Sequence, residues 1–136
     1  MAARITIEER LAGARKRIVR FTPSEALDAA ARGAVIVDTR CDEDRRREGL
    51  IPEAVPIPLS VLEWRADPDS ETADARLANL DLQLIVICND GYSSSLAAAS
   101  LRDIGFRRTG DVTGGFRAWV KAGLPVRPGR EDTGPT

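Results

Sequence analysis

Residues Leu84-Ile85-Val86-Ile87-Cys88 form an unbroken apolar run that passes directly into Asn89-Asp90-Gly91-Tyr92 and then into a serine- and alanine-rich segment. A short run rich in β-branched residues, apolar at consecutive positions, fits a strand covered on both faces rather than one with a wet side. Behind it, Leu96, Ala97, Ala99, Leu101 and Ile104 give a mostly apolar helical face, and Gly105 supplies a stop. The pattern is therefore strand, tight glycine-containing loop, helix, with a cysteine at the hinge.

A second run, Ala34 to Asp38, has the same character. It is preceded by a strong helix start: Thr22 as N-cap, Pro23 at the first helical position, Glu25 completing a capping box, and Gly33 as the stop. Upstream, residues 5–19 predict an amphipathic helix capped by Thr6, with Glu8 and Glu9 near its positive end and Arg15-Lys16-Arg17 near its negative end. Downstream, 42–48 predicts a short charged helix, 55–57 a short strand among prolines, 59–65 a helical turn and 71–79 another helix. Thr109 to Thr113 predicts a last strand, and Gly114-Gly115 opens a helix closed by Gly123. Strands alternating with helices predict an α/β fold: three layers, with a central, mainly parallel sheet flanked by helices. The expected organisation is an N-terminal helical extension over 1–20, a single domain over 21–126 and a flexible tail over 127–136.

Composition narrows the chemistry. The chain has no histidine, which removes Cys-His and Ser-His-Asp arrangements and most zinc sites. Two cysteines, Cys41 and Cys88, with no C-x-x-C pair, exclude a disulfide scaffold and argue against a structural metal centre. No metal or other cofactor is expected. A net charge of −1 gives no field that would favour nucleic acid or a membrane surface as partner. The absence of a membrane-length apolar run and of a signal-peptide core makes a cytoplasmic address the expectation.

In open parallel sheets, ligands sit beyond the C-terminal ends of the strands. Cys88 and the segment Asp38-Thr39-Arg40-Cys41 both fall there and could line one crevice. A loop running from Asn89 to Ser93 can curl its backbone N–H groups inward, and the helix start near Ser94 adds its positive end. Both effects favour thiolate over thiol. A thiolate needs no histidine to attack an electrophilic sulfur, and the resulting persulfide anion would be held by the same donors. The competing reading is that Cys88 is a small buried hydrophobe ending a strand. Arg40 could bring positive charge to the crevice mouth or could pair with Asp38; Cys41 could resolve a persulfide or do nothing.

Four segments in order resemble one family. Val35-Ile36-Val37-Asp38-Thr39-Arg40 is similar to a strand ending in Asp-x-Arg in the rhodanese-like domain. Gly49-Leu50-Ile51-Pro52-Glu53-Ala54 is similar to that family's Gly-His-Ile-Pro-Gly-Ala segment. Cys88-Asn89-Asp90-Gly91-Tyr92-Ser93-Ser94, followed by the alanine-rich helix, resembles its active loop. Asp111 to Val126, with Gly114-Gly115-Phe116 and Trp119, resembles its C-terminal signature.

The resemblance implies a sulfurtransferase that moves a sulfane sulfur from a small-molecule donor to cyanide or a thiol through a persulfide on Cys88. Residues Asn89, Asp90, Gly91, Tyr92, Ser93, Ser94 and Arg40 would bind substrate, and Asp38 would support the site structurally. A protein persulfide could also be a partner. The loop departs from the family's thiosulfate-using members in carrying no Arg or Lys and in carrying Asp90, so thiosulfate is expected to be a poor donor. Leu50 and Glu53 replace the family's histidine and glycine. A non-catalytic rhodanese-like binding or regulatory module is the alternative. A cysteine phosphatase would need an arginine closing the loop, where this chain has Ser94 and Ser95.

Overall fold

A computed structural model describes residues 3–129. Its elements are α1 (Ile7–Arg15), β1 (Val19–Phe21), α2 (Pro23–Ala31), β2 (Val35–Asp38), α3 (Asp42–Glu48), β3 (Val55–Pro56), α4 (Leu62–Ala66), β4 (Leu84–Ile87), α5 (Ser93–Asp103), β5 (Gly110–Val112) and α6 (Gly115–Lys121). The five strands form one sheet in the order β1-β5-β4-β2-β3, and every pairing is parallel. The chain has the expected three-layer α/β architecture.

The central strand explains the layering. In β4 successive side chains point to opposite faces. Leu84 and Val86 pack with Leu62, Ala98, Leu101 and Phe106, beneath α4 and α5. Ile85 and Ile87 pack with Ala26, Ala29, Phe116 and Trp119, beneath α2 and α6. All four β4 side chains are fully buried, as a run apolar at every position requires. Both expected capping boxes form: Thr6 with Glu9 on α1, and Thr22 with Glu25 on α2. Trp119 fills the core, whereas Trp64 is 59% exposed. No helix among the described residues is long and apolar enough to cross a membrane.

Three expectations change. The helix over 5–19 ends at Arg15, and Val19 to Phe21 instead joins the sheet edge, paired with β5. A three-residue edge strand is too short to carry a periodic signal, so the expected boundary at residue 20 falls inside β1. The helix over 71–79 does not form; one turn at Asp74 stands in its place. There the Asp74 carboxylate takes both the backbone N–H and the guanidinium of Arg76, a local bond that competes with helix. Of the segment expected to be a tail, Arg127 pairs its backbone with Leu50, while 130–136 lies outside the described residues.

Candidate active site

Strand β4 delivers Cys88 to the C-terminal edge of the sheet, 6% exposed, where the chain turns into the 89–92 loop and α5. The register Asp38↔Ile87 brings the end of β2 alongside, and Thr39 donates both its N–H and its hydroxyl to the Ile87 carbonyl. Between the two strand ends lies a cavity of about 440 Å³, onto which Cys88, Cys41, Asp44, Leu59, Asp90 and Tyr92 open. Asn89 and Ser93 also face it.

The loop is held so that its donors face sulfur. The Gly91 N–H lies 3.2 Å from Cys88 Sγ. The carbonyl of Cys88 accepts from the Phe116 N–H at 2.8 Å, and that of Asn89 from the Arg117 N–H at 3.2 Å. The carbonyl of Gly91 accepts from the guanidinium groups of Arg15 at 2.8 Å and Arg20 at 3.1 Å. A trans peptide points its C=O and N–H in opposite directions. Binding these carbonyls on one side therefore turns the N–H groups of Asn89, Asp90 and Tyr92 to the other, the arrangement of an anion nest. Glycine is required at two places. Gly91 has φ +89 and packs on Gly114; a Cβ on Gly115 would stand 2.6 Å from the Cys88 and Asn89 carbonyl oxygens.

Burial pushes the Cys88 thiol up; the hydroxyls of Ser94 and Ser93 and the N–H groups of Ser94 and Gly91 outweigh it, leaving the thiol below its ordinary value. The Ser94 hydroxyl has a single proton, and it is directed to Asp111 at 2.8 Å. The fixed part of the stabilisation is thus the backbone N–H groups.

Under the loop lies fully buried Asp111, which accepts from Ser94 Oγ, from Ser95 Oγ at 2.7 Å, and from Arg20 at 3.0 and 3.2 Å. Arg15 Nε donates to Ser95 Oγ at 3.0 Å, and its guanidinium sits 5.7 Å from the Tyr92 ring centroid. At the rim, Asp90 is bound by Arg117 at 2.8 Å, and Arg117 also reaches Glu48 at 3.3 Å. The Asn89 amide donates to Asp44 and, with Arg47 and Cys41, holds that carboxyl below its usual range.

The expected site residues thus fall into two groups. Cys88, Asn89, Asp90, Gly91, Tyr92, Ser93 and Ser94 converge around the sulfur. Arg40 borders the same cavity, but its guanidinium is turned inward, bound to Asp38 at 2.7 Å and to the Gly49 carbonyl at 2.9 Å, and stacked 3.6 Å from the Phe116 ring centroid. Its side chain is fully buried, Asp38 holds it, and its Nη1 has no hydrogen-bond partner among the described residues. Cys41 is an exposed free thiol at the N-terminus of α3. Arg15, Arg20, Asp111, Gly115 and Arg117 were not legible as site residues. Only Asp111, a carboxylate inside a short strand, carries a local signal. No group of His, Cys, Asp and Glu among the described residues could hold a metal ion.

The rhodanese-like domain model matches residues 22–122. A thiosulfate sulfurtransferase (GlpE) of Pseudomonas entomophila is 36% identical over 100 residues, 74% of this chain and 83% of that one. A Rhodopseudomonas palustris structure, described as a protein of unknown function and possible tyrosine phosphatase, superposes with TM-score 0.82 at 32% identity, covering 93% of this chain and 98% of that one. A polysulfide-sulfur transferase of Wolinella succinogenes shares the fold at TM-score 0.69 and 17% identity, covering 94% and 90%. With the sheet order, the cysteine loop and the match over 22–122 in agreement, this chain belongs to the rhodanese-like domain family.

Proposed function

We propose that the protein is a sulfurtransferase that carries sulfane sulfur as a persulfide on Cys88. The observation that carries this reading is the Gly91 N–H at 3.2 Å from a Cys88 sulfur that opens onto the crevice. In the first step the Cys88 thiolate attacks the donor's sulfane sulfur. A new S–S bond forms, the donor's own bond to that sulfur breaks, and the leaving group departs with the electron pair as sulfite or a thiolate. The inward N–H groups of the loop hold the persulfide anion. In the second step cyanide or a thiolate attacks the outer sulfur, and Cys88 leaves as thiolate, ready to react again.

The charge at the crevice bears on the donor. Asp44 and Asp90 face the opening, Arg117 is tied to Asp90 and Glu48, and Arg40 is turned away. A persulfide, whose reacting end bears a single negative charge, is better matched than dianionic thiosulfate. The relatives named thiosulfate sulfurtransferase support the reaction class. A phosphatase activity is disfavoured, because Arg15 and Arg20 bind the Gly91 carbonyl and so sit behind the loop, where they cannot clamp a phosphate.

The test is incubation with thiosulfate, polysulfide and glutathione persulfide, read by intact mass of wild type and Cys88→Ser. One added sulfur on the wild type and none on the variant is expected. Equal adducts on both would remove Cys88 from its role. No adduct from any donor would favour a binding module instead.

A further inference from the structure

Arg15 and Arg20 precede the segment matched to the family, which begins at residue 22. Both nevertheless reach a single carbonyl at the centre of the cysteine loop, that of Gly91. Arg15 comes from α1, which packs directly against α5, and it bridges the loop to Ser95 on the first turn of α5. Arg20 comes from the edge strand β1 and is anchored by buried Asp111.

We infer that α1 and β1 belong to the reaction machinery, with Arg15 as a positioning residue that holds the Gly91 carbonyl away from Cys88 and supplies the positive charge the loop itself lacks. The inference rests on Cys88 being the reactive sulfur. The physical case has two parts. If the Gly91–Tyr92 peptide turned over, its carbonyl oxygen would swing from the two guanidinium groups to the crevice side of the loop, adding an acceptor dipole where a thiolate must be held. Two guanidinium donors on that oxygen oppose the turn.

The second part is charge. From β2, Asp38 and Arg40 neutralise each other; from β5 and β1, Asp111 and Arg20 do the same. The carboxylate of Asp44 on α3 is paired with Arg47, and beside it lies the Cys41 thiol. On the loop, Asp90 shares Arg117 of α6 with Glu48, and the Tyr92 phenol ring lies against Arg15. Arg15 has no carboxylate within ion-pair distance among the described residues. Its charge is therefore the uncompensated one behind the loop, and it favours the anionic sulfur.

The experiment is the pH dependence of Cys88 alkylation by iodoacetamide in the full chain carrying Cys41→Ser, so that a single thiol reports. Arg15→Gln should raise the inflection by about one unit and lower kcat/KM for sulfur transfer through kcat. Arg15→Lys, which keeps the charge but not the fork, should recover part of the shift. Arg17→Gln serves as the docking control: it removes an ion pair between the turn after α1 and Asp103 on α5 without touching the loop. It should lower the melting temperature while leaving the inflection in place. An Arg15→Gln inflection within about 0.2 unit of wild type, or an equal rise in Arg17→Gln, would overturn the inference. If Arg15→Gln fails to fold, Arg15→Lys with an unshifted inflection and unchanged kcat would overturn it. Alkylation needs only a thiolate, so it reads Arg15 even if no donor loads sulfur onto Cys88, and the two proposals can fail separately.

Discussion

The two strand ends that meet at the crevice, β2 and β4, carry comparably polar residues and use them in opposite ways. At the end of β2, Asp38 and Arg40 satisfy each other, and Arg40 takes the Gly49 carbonyl and the Phe116 ring as further partners. That end turns its charge inward, with one guanidinium nitrogen of Arg40 left without a partner among the described residues. At the end of β4, the carbonyls of Cys88, Asn89 and Gly91 are bound from behind by α6, Arg15 and Arg20, and the Gly91 N–H faces the sulfur. The two ends differ in where their backbone acceptors are satisfied, more than in which charged residues they contain.

The comparison breaks most visibly if Arg40 acts on substrate. Arg40→Ala leaves the buried Asp38 carboxylate unpaired, and about 3–5 kcal/mol of stability should be lost, read by urea denaturation. A well-folded variant that only raised KM would return Arg40 to the crevice. On the β4 side, Gly115→Ala places a Cβ against the Cys88 and Asn89 carbonyls at a φ of +65. It should cost about 1–3 kcal/mol and lower kcat more than it raises KM; a variant with wild-type kinetics would show that α6 need not approach the loop so closely.

Asp90→Asn sharpens the role of charge at the rim. It removes a carboxylate and releases Arg117, so kcat/KM for thiosulfate should rise about 5–10-fold, a gain of roughly 1–1.4 kcal/mol at the transition state, with little change for a persulfide donor. High wild-type thiosulfate activity, unmoved by the substitution, would contradict the donor preference. The smallest effect concerns backbone strain. The β4 loop has glycine where φ is positive, but the connection from β2 to β3 puts Glu53 at φ +67. Glu53→Gly should raise stability by about 0.5–1 kcal/mol without altering turnover, measured as a shift in melting temperature.

What was legible in the sequence was local. The apolar runs of β2 and β4 and the strand–loop–helix around Cys88 depend on neighbours within a few residues, and they identified the sulfur and its loop. The Asp38–Arg40 pair was also foreseeable from a spacing of two, and it was the favoured reading, with a place at the substrate as the other. The rest of the site arrives across long stretches of chain: Arg15 to Gly91 spans 76 residues, Arg20 to Asp111 spans 91, and Arg117 to Asp90 spans 27. Nothing in a surface-like run such as Arg15-Lys16-Arg17 distinguishes the arginine that turns inward. The helix expected over 71–79 was lost to a local competitor, the Asp74 carboxylate on the Arg76 N–H, which periodicity does not register.

The most direct test of the central claim is the titration of Cys88 in the otherwise wild-type chain carrying Cys41→Ser, followed by the rate of alkylation against pH. An inward-facing set of N–H groups with Arg15 behind it predicts an inflection clearly below the ~8.5 of a free cysteine, with the rate rising as pH passes through it and level above. An inflection at or above that value would mean that burial governs the thiol and that the loop is no anion cradle.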